Sequence, residues 1–267
     1  MIDIHSHILY GLDDGAQTME QSIEMAKIAE KDGIDKIIAT PHLFRGNFLF
    51  DNFERIEQKR DELSKALEKN KINVEIFTGA EVHITHNLID EIRRNRECLV
   101  LNNGSYILVE FPTDHIFSGV KNLFFDLMSE DITPIIAHPE RNSIFRNTPE
   151  LLYELIHMGG LTQANQGSLF SHYGNSVQET VHQFLEWNFI HFIGSDAHNT
   201  HFITPRLSGA LDKISEKIGA DNAKALVLGN PQAVLDDKEL PYLPEPVNPK
   251  EKQKSFKIKI PKIFWKS

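Results

Sequence analysis

Met1-Ile2-Asp3-Ile4-His5-Ser6-His7 reads as a buried first strand carrying two imidazoles two residues apart. Side chains at i and i+2 of a strand point to the same face, so His5 and His7 converge on one spot. Two neutral imidazoles aimed at a common point are a natural start for a divalent-metal site. The same spacing also occurs on ordinary surface strands, so it gains meaning only if later strands end in further ligands.

Working outward, apolar β-rich runs alternate with longer segments of helical period. Strands are predicted at 2–4, 36–39, 74–78, 106–109, 133–137, 161–164 and 190–193. Helices are predicted at 19–32, 51–69, 86–95, 118–130, 149–157, 176–188, 205–217 and 221–228, with a short turn of helix after Pro231. Strand–helix alternation implies βαβ units and a parallel sheet. Seven units with polar residues at strand ends predict an α/β fold closed as a TIM-like barrel rather than an open sheet. Barrel sites form at the C-terminal ends of the strands, so functional ligands should lie there.

They do. His5 and His7 close the first strand, and Asp14 follows in Gly11-Leu12-Asp13-Asp14-Gly15. His42 follows the second strand, Glu81 ends the third, Glu110 the fourth and His138 the fifth, while Asp196 and His198 follow the last. Any one of these has a plain structural reading, as a turn residue or a hydrogen-bonded rim side chain. Nine together do not, because carboxylates packed so closely would repel one another unless cations compensated them. Five imidazoles and four carboxylates exceed the four ligands of a single zinc. The set predicts two or three divalent ions, manganese, iron or zinc, with no thiolate to narrow the choice.

The remaining composition sets limits. A length of 267 residues and 40% hydrophobic content suit one sizeable domain. The lone cysteine, Cys98, excludes an intramolecular disulfide and fits a reducing cytoplasm. No secretory leader and no membrane-spanning run is read from the sequence, so a cytoplasmic protein is expected. The net charge of −10 argues against nucleic-acid binding. Residues 250–267 carry seven lysines and one glutamate, so the acidic excess lies before them. The prolines at 241, 244 and 246 divide the chain into a catalytic body over 1–240 and a linker with a basic, aromatic tail over 241–267. That tail suggests a weak membrane-surface or oligomer contact.

The motifs Asp3-Ile4-His5-Ser6-His7-Ile8, Asp13-Asp14-Gly15, Thr40-Pro41-His42, Glu110-Phe111-Pro112 and Ser195-Asp196-Ala197-His198 closely resemble the PHP (polymerase and histidinol phosphatase) superfamily. Within it they resemble the bacterial metal-dependent protein-tyrosine phosphatases encoded with capsule and exopolysaccharide genes. The resemblance runs from about Met1 to about Asp236. It implies the PHP fold, a distorted seven-stranded β/α barrel, with a trinuclear cluster on the nine ligands and a membrane-associated tyrosine kinase as phosphorylated partner. It also implies active-site roles for Arg141 and Arg206, whose guanidiniums suit phosphoryl oxygens. The expected chemistry is attack on phosphorus by metal-activated hydroxide. A phenolate leaving group, its conjugate acid near ~10, needs little acid assistance.

Arg45 and His201 are further substrate-binding candidates, and Phe44, Phe48 and Phe50 join Arg45 in a loop suited to an aromatic ring. His83 is a weaker ligand candidate, and Gln163 and Asn165 are expected to line the pocket. The competing readings are a small-metabolite phosphoesterase acting on a compound such as histidinol phosphate, a nuclease, an amidohydrolase and a non-catalytic metal binder. An acidic body counts against the nuclease. No strand ends in the lysine that amidohydrolases often use.

Overall fold

The computed structural model describes residues 1–46 and 53–250. Its strands are β1 Ile2–Ser6, β2 Lys36–Ala39, β3 His42–Leu43, β4 Glu75–Thr78, β5 Glu81–His83, β6 Tyr106–Glu110, β7 Thr133–Ala137, β8 Leu161–Asn165 and β9 Phe192–Gly194. Between them lie α1 Met19–Asp32, α2 Phe53–Lys69, α3 Leu88–Leu99, α4 Val120–Ser129, α5 Ser143–Asn147, α6 Pro149–His157 and α7 Asn175–Glu186. α8 Ser208–Ile218, α9 Ala220–Lys224 and α10 Asn230–Leu235 complete the described helices.

Every pairing is parallel, in a sheet ordered β1-β2-β4 and another ordered β3-β5-β6-β7-β8-β9. The molecule is therefore mixed α/β with parallel sheets, but the hydrogen bonds among the described residues do not draw the closed seven-stranded barrel expected. Beyond two of the expected strands, now β2 and β4, the chain passes Thr40-Pro41 and Gly79-Ala80 and resumes as β3 and β5 in the second sheet. Pro41 has no N–H to continue the ladder. β3 and β5 set His42 and Glu81 side by side in register. On the opposite side, among the described residues, the sheets touch at a single bridge, Ser6 with Ala197, flanked by His7 N–H to Ala197 O at 2.8 Å and Asp196 N–H to His5 O at 2.8 Å.

Neighbouring strand residues go to different apolar clusters. Ile38, Leu108, Ile135, Leu161 and Phe192 join Ile2 and Ile4 in one. Ile37, Ile107, Ile136 and Ile193 join helix residues such as Met25, Leu63, Phe124, Leu155 and Phe184 in the other. Strands buried on both faces are what parallel sheets covered by helices require. Local chemistry sets the helix ends: the Thr18 side chain accepts from Gln21 N–H at the start of α1, and Gly33, at φ 86°, closes its end.

After α10 the proline-rich segment remains fastened to the body. Asn230 exchanges hydrogen bonds with the Tyr242 backbone, Asn188 donates to Glu245 O, and Val247 N–H donates to Trp187 O. Among the described residues no helix is long and apolar enough to cross a membrane. The basic tail beyond Lys250, with Phe48 and Phe50 of the aromatic loop, lies outside the described residues.

Candidate metal centre

The strand ends deliver all nine sequence-predicted ligands to one place. His5 lies within β1 and His7 just beyond it; His42 and Glu81 begin β3 and β5; Glu110 ends β6; His138 follows β7; Asp196 and His198 follow β9. Three overlapping sets form, each with its donor atoms within 4.8 Å of one another: His5, His7, Glu81 and Asp196; His7, Asp14, His42 and His198; His42, Glu81 and Glu110. His138 Nε2 stands beside the third set, 2.9 Å from Glu81 Oε1 and 3.9 Å from Glu110 Oε1.

The first set is fully enclosed. His5 Nε2 lies 3.3 Å from His7 Nε2, 3.3 Å from Glu81 Oε2 and 3.2 Å from Asp196 Oδ1. His7 Nε2 is 3.3 Å from both of those oxygens. A regular tetrahedron of that edge has its centre about 2.0 Å from each vertex, the bond length of zinc to nitrogen or oxygen, and five of the six separations here are of that length. In the second set Asp14 Oδ1 is 3.4 Å from both His42 Nε2 and His198 Nε2.

The outer nitrogens of these rings are held by acceptors. His5 Nδ1 meets Gln163 Oε1 at 2.7 Å, His7 Nδ1 meets Asp13 Oδ2 at 2.7 Å, and His198 Nδ1 meets Asp196 O at 2.7 Å. Gln163 Nε2 in turn donates to Ala164 O and Asn165 Oδ1, which fixes the amide's orientation. Such partners place the ring proton on Nδ1 and leave Nε2 as a lone pair facing inward. Two lone pairs 3.3 Å apart repel unless a cation lies between them. Glu81 Oε2 is likewise buried without a hydrogen-bond donor among the described residues. The donor set therefore fits divalent ions.

Charge crowding perturbs every member of the first set. Burial acts to lower His5, but Glu81 and Asp196 raise it to about 10. Burial also opposes protonation of His7, and Asp13 drives it well above the ordinary range. Glu81 and Asp196 move the other way: burial would raise both, and His5 holds them well below the usual carboxylate range. Bound cations would answer the same charge that these protons answer.

The backbone bends to make this possible. His138 at φ 33° and Asp196 at φ 52° occupy the left-handed region, sparsely used by residues other than glycine. Gly15 brings the Asp13–Gly15 turn against His7, where a Cβ would stand 2.2 Å from His7 O. At Gly194 a Cβ would come within 2.9 Å of both Gln163 Nε2 and His5 Cβ.

Of the remaining candidates, Arg141 reaches the centre, with Nη1 2.9 Å from Asp196 Oδ2. Arg45 Nη1 lies 2.5 Å from His42 Nε2 and 3.5 Å from Glu110 Oε1. His83 Nδ1 is 3.4 Å from Glu110 Oε2. Arg206 is not brought in. Asp32 accepts from Leu207 N–H and Ser208 N–H at 2.6 and 2.8 Å, holding this turn against α1. Arg206 there borders an exposed cleft with Glu24, Lys27 and Lys31. His201 is also exposed, its N–H given to Asn199 Oδ1.

Beyond Gln163 and Asn165, which the sequence set at the pocket, sequence reasoning missed the supporting shell. Asp13 accepts from Gly15 N–H and His42 N–H as well as orienting His7. An Asp-Asp-Gly turn signals a bend but not which acid turns inward. Asn165 Nδ2 donates to Asp196 Oδ2 at 2.7 Å, and Asp3 accepts from Ser195 N–H and Oγ. Glu140, fully buried, accepts from Asn165 N–H and Ser168 Oγ. No local pattern announces these partners, because each acts across the fold.

Comparison with known proteins places this geometry in company. The family model for capsular polysaccharide synthesis proteins of the CpsB/CapC type matches residues 1–236. The tyrosine-protein phosphatase YwqE of Bacillus subtilis is 36% identical over 257 residues, 96% of this chain and 99% of that protein. The tyrosine-protein phosphatase CpsB of Streptococcus agalactiae is 30% identical over 246 residues, 88% of this chain and 98% of that one. A crystal structure from work on YwqE and on CpsB from Streptococcus pneumoniae, described as unique metal-dependent tyrosine phosphatases, superposes with a TM-score of 0.87. It is 36% identical, covering 93% of this chain and 99% of its own.

Proposed function

The chain belongs to the CpsB/CapC family of capsular polysaccharide synthesis proteins, and on that premise we propose that it is a metal-dependent protein-tyrosine phosphatase. The observation that carries the chemistry is the set of inward-facing donors of His5, His7, Glu81 and Asp196, spaced 3.2–3.3 Å apart in the five separations given above.

In this reading three cations, manganese, iron or zinc, share the nine ligands. His5, His7, Glu81 and Asp196 would hold one; Asp14, His42 and His198 a second; Glu81, through its other oxygen, Glu110 and His138 a third. When bound, they supply Lewis acidity for phosphoryl oxygens and lower the pKa of water towards about 7. The protein does the rest. Asp13 and Gln163 fix the His7 and His5 rings, and Asn165 orients the Asp196 carboxylate. Arg141 spends Nη1 on Asp196 and turns its remaining N–H donors to the phosphoryl group. Arg45 lines the entrance. His201 and Arg206, both exposed on the chain leading from His198, meet the protein substrate as it arrives.

The substrate assigned is phosphotyrosine on a membrane-associated bacterial tyrosine autokinase of polysaccharide export. The single cysteine agrees with a cytoplasmic location. The lysine-rich residues 250–267 are assigned a weak contact with a membrane surface or a second copy, outside a catalytic body over 1–240. The Ser6–Ala197 bridge supports reading the two sheets as walls of a distorted seven-stranded PHP-type barrel.

The test compares hydrolysis of a phosphotyrosine peptide, a phosphoserine peptide, histidinol phosphate and single-stranded DNA by the metal-loaded protein. Turnover of the first alone is expected. Turnover confined to histidinol phosphate or DNA would overturn the assignment.

A further inference from the structure

Arg141 approaches the centre through one nitrogen, so something else must set the plane of its guanidinium. The Tyr173 ring does this: Arg141 Cζ lies 4.6 Å from its centroid, within cation–π range. Both side chains are half-buried, and the Asn165 side chain, itself bonded to Asp196, meets the Tyr173 hydroxyl.

The loop after β8 is shaped to hold that ring. It leaves Asn165 in a 3-10 turn over Gln166–Phe170, passes through Ser171 at φ 58° and ends at Gly174 at φ 94°. At Gly167 a Cβ would stand 3.2 Å from Tyr173 Cε2 and 2.9 Å from His172 Nδ1, so glycine makes the seat. Glu140, the residue before Arg141, accepts from Asn165 N–H at 2.9 Å and Ser168 Oγ at 2.6 Å. That carboxylate ties the turn bearing the arginine to the loop bearing the tyrosine.

We propose that Tyr173 is a positioning residue for anion recognition, its ring face holding the Arg141 guanidinium so that the donors left free by Asp196 point at a tetrahedral oxyanion. The proposal rests on the assignment of Arg141 to the phosphoryl group made above. It separates the two parts of the tyrosine: the ring aligns the cation, and the hydroxyl is secondary.

Inorganic phosphate is the probe, titrated calorimetrically into the metal-loaded protein, with metal content measured for every variant. Tyr173→Leu should weaken phosphate binding roughly five- to twenty-fold, the scale of a partly desolvated cation–π contact. Tyr173→Phe should stay within about two-fold of the parent, and in an Arg141→Ala background the leucine change should make less than about two-fold difference. Equal affinity for Tyr173→Leu and the parent would overturn the proposal. So would an undiminished loss in the Arg141→Ala background, a Tyr173→Phe defect as large as that of leucine, or loss of metal from Tyr173→Leu. If the parent fails to hydrolyse phosphotyrosine while the phosphate series follows the expected pattern, the phosphatase assignment falls and the Tyr173–Arg141 coupling stands.

Discussion

Glu81 is the side chain on which the centre turns. Its Oε2 faces His5, His7 and His42, and its Oε1 faces His138. Among the described residues no other carboxylate touches as many imidazoles. Glu81→Gln keeps the shape and removes the charge, so it should release metal and lower kcat/KM by at least about 100-fold. Metal analysis alongside kinetics checks this, and a variant with full metal and parental turnover would refute the role. Asp13 acts one step further out, through His7 Nδ1. Asp13→Asn should weaken metal binding by roughly 10- to 100-fold, the usual cost of losing such an orienting partner. Competition with a chromogenic chelator measures it directly.

Elements meet so tightly around this cluster that single backbone positions decide whether they fit. Gly15→Ala would drive a methyl group into His7, and a cost of roughly 2–4 kcal/mol is expected from the forced backbone shift. Thermal denaturation of the metal-loaded protein should show it, and an unchanged melting temperature would contradict the close approach. β8 supplies a pH-dependent counterpart. His191, fully buried, accepts from Thr162 N–H through Nδ1, and burial pushes its pKa down to about 4. Between about 6.5 and 4 the unfolded chain binds a proton that the folded chain refuses. The stabilising contribution of neutral His191 is thus complete above pH 6.5 and is lost as pH falls towards 4. Its size is roughly 3 kcal/mol. His191→Asn keeps an acceptor for Thr162 and removes the titration, so its stability should fall less steeply with acid than the parent's. Parallel curves for the two proteins would discount His191.

At the scale of the molecule, bound cations would tie β1, β3, β5, β6, β7 and the loop after β9 to one point. Chelation should therefore lower the melting temperature as well as abolish turnover, and adding metal back should restore both. Retained thermal stability after complete metal removal would mean that the protein sheets hold the site unaided. The C-terminal packing offers another check. A chain ending at Leu240 lacks the Tyr242, Glu245 and Val247 contacts, whereas one ending at Lys250 keeps them. The shorter chain should melt several degrees lower, at about 2–4 °C per kcal/mol for a protein of this size.

The sequence alone carried the periodicity that separates strands from helices, and α1, α6, β2 and β7 occupy the spans expected of them. It also carried the donors at strand ends, because β-strands project side chains in a fixed alternation and parallel strands all end on one side. Only the tertiary structure decided the rest. Whether two sheets close, which acid of Asp13-Asp14 turns inward, and why Arg141 reaches the centre while Arg206 lies against α1 depend on partners far away in the chain. Asp32 is 174 residues from Arg206, and Gln163 is 158 from His5. Local pattern encodes which chemistry a residue can offer, and packing decides where that chemistry is delivered.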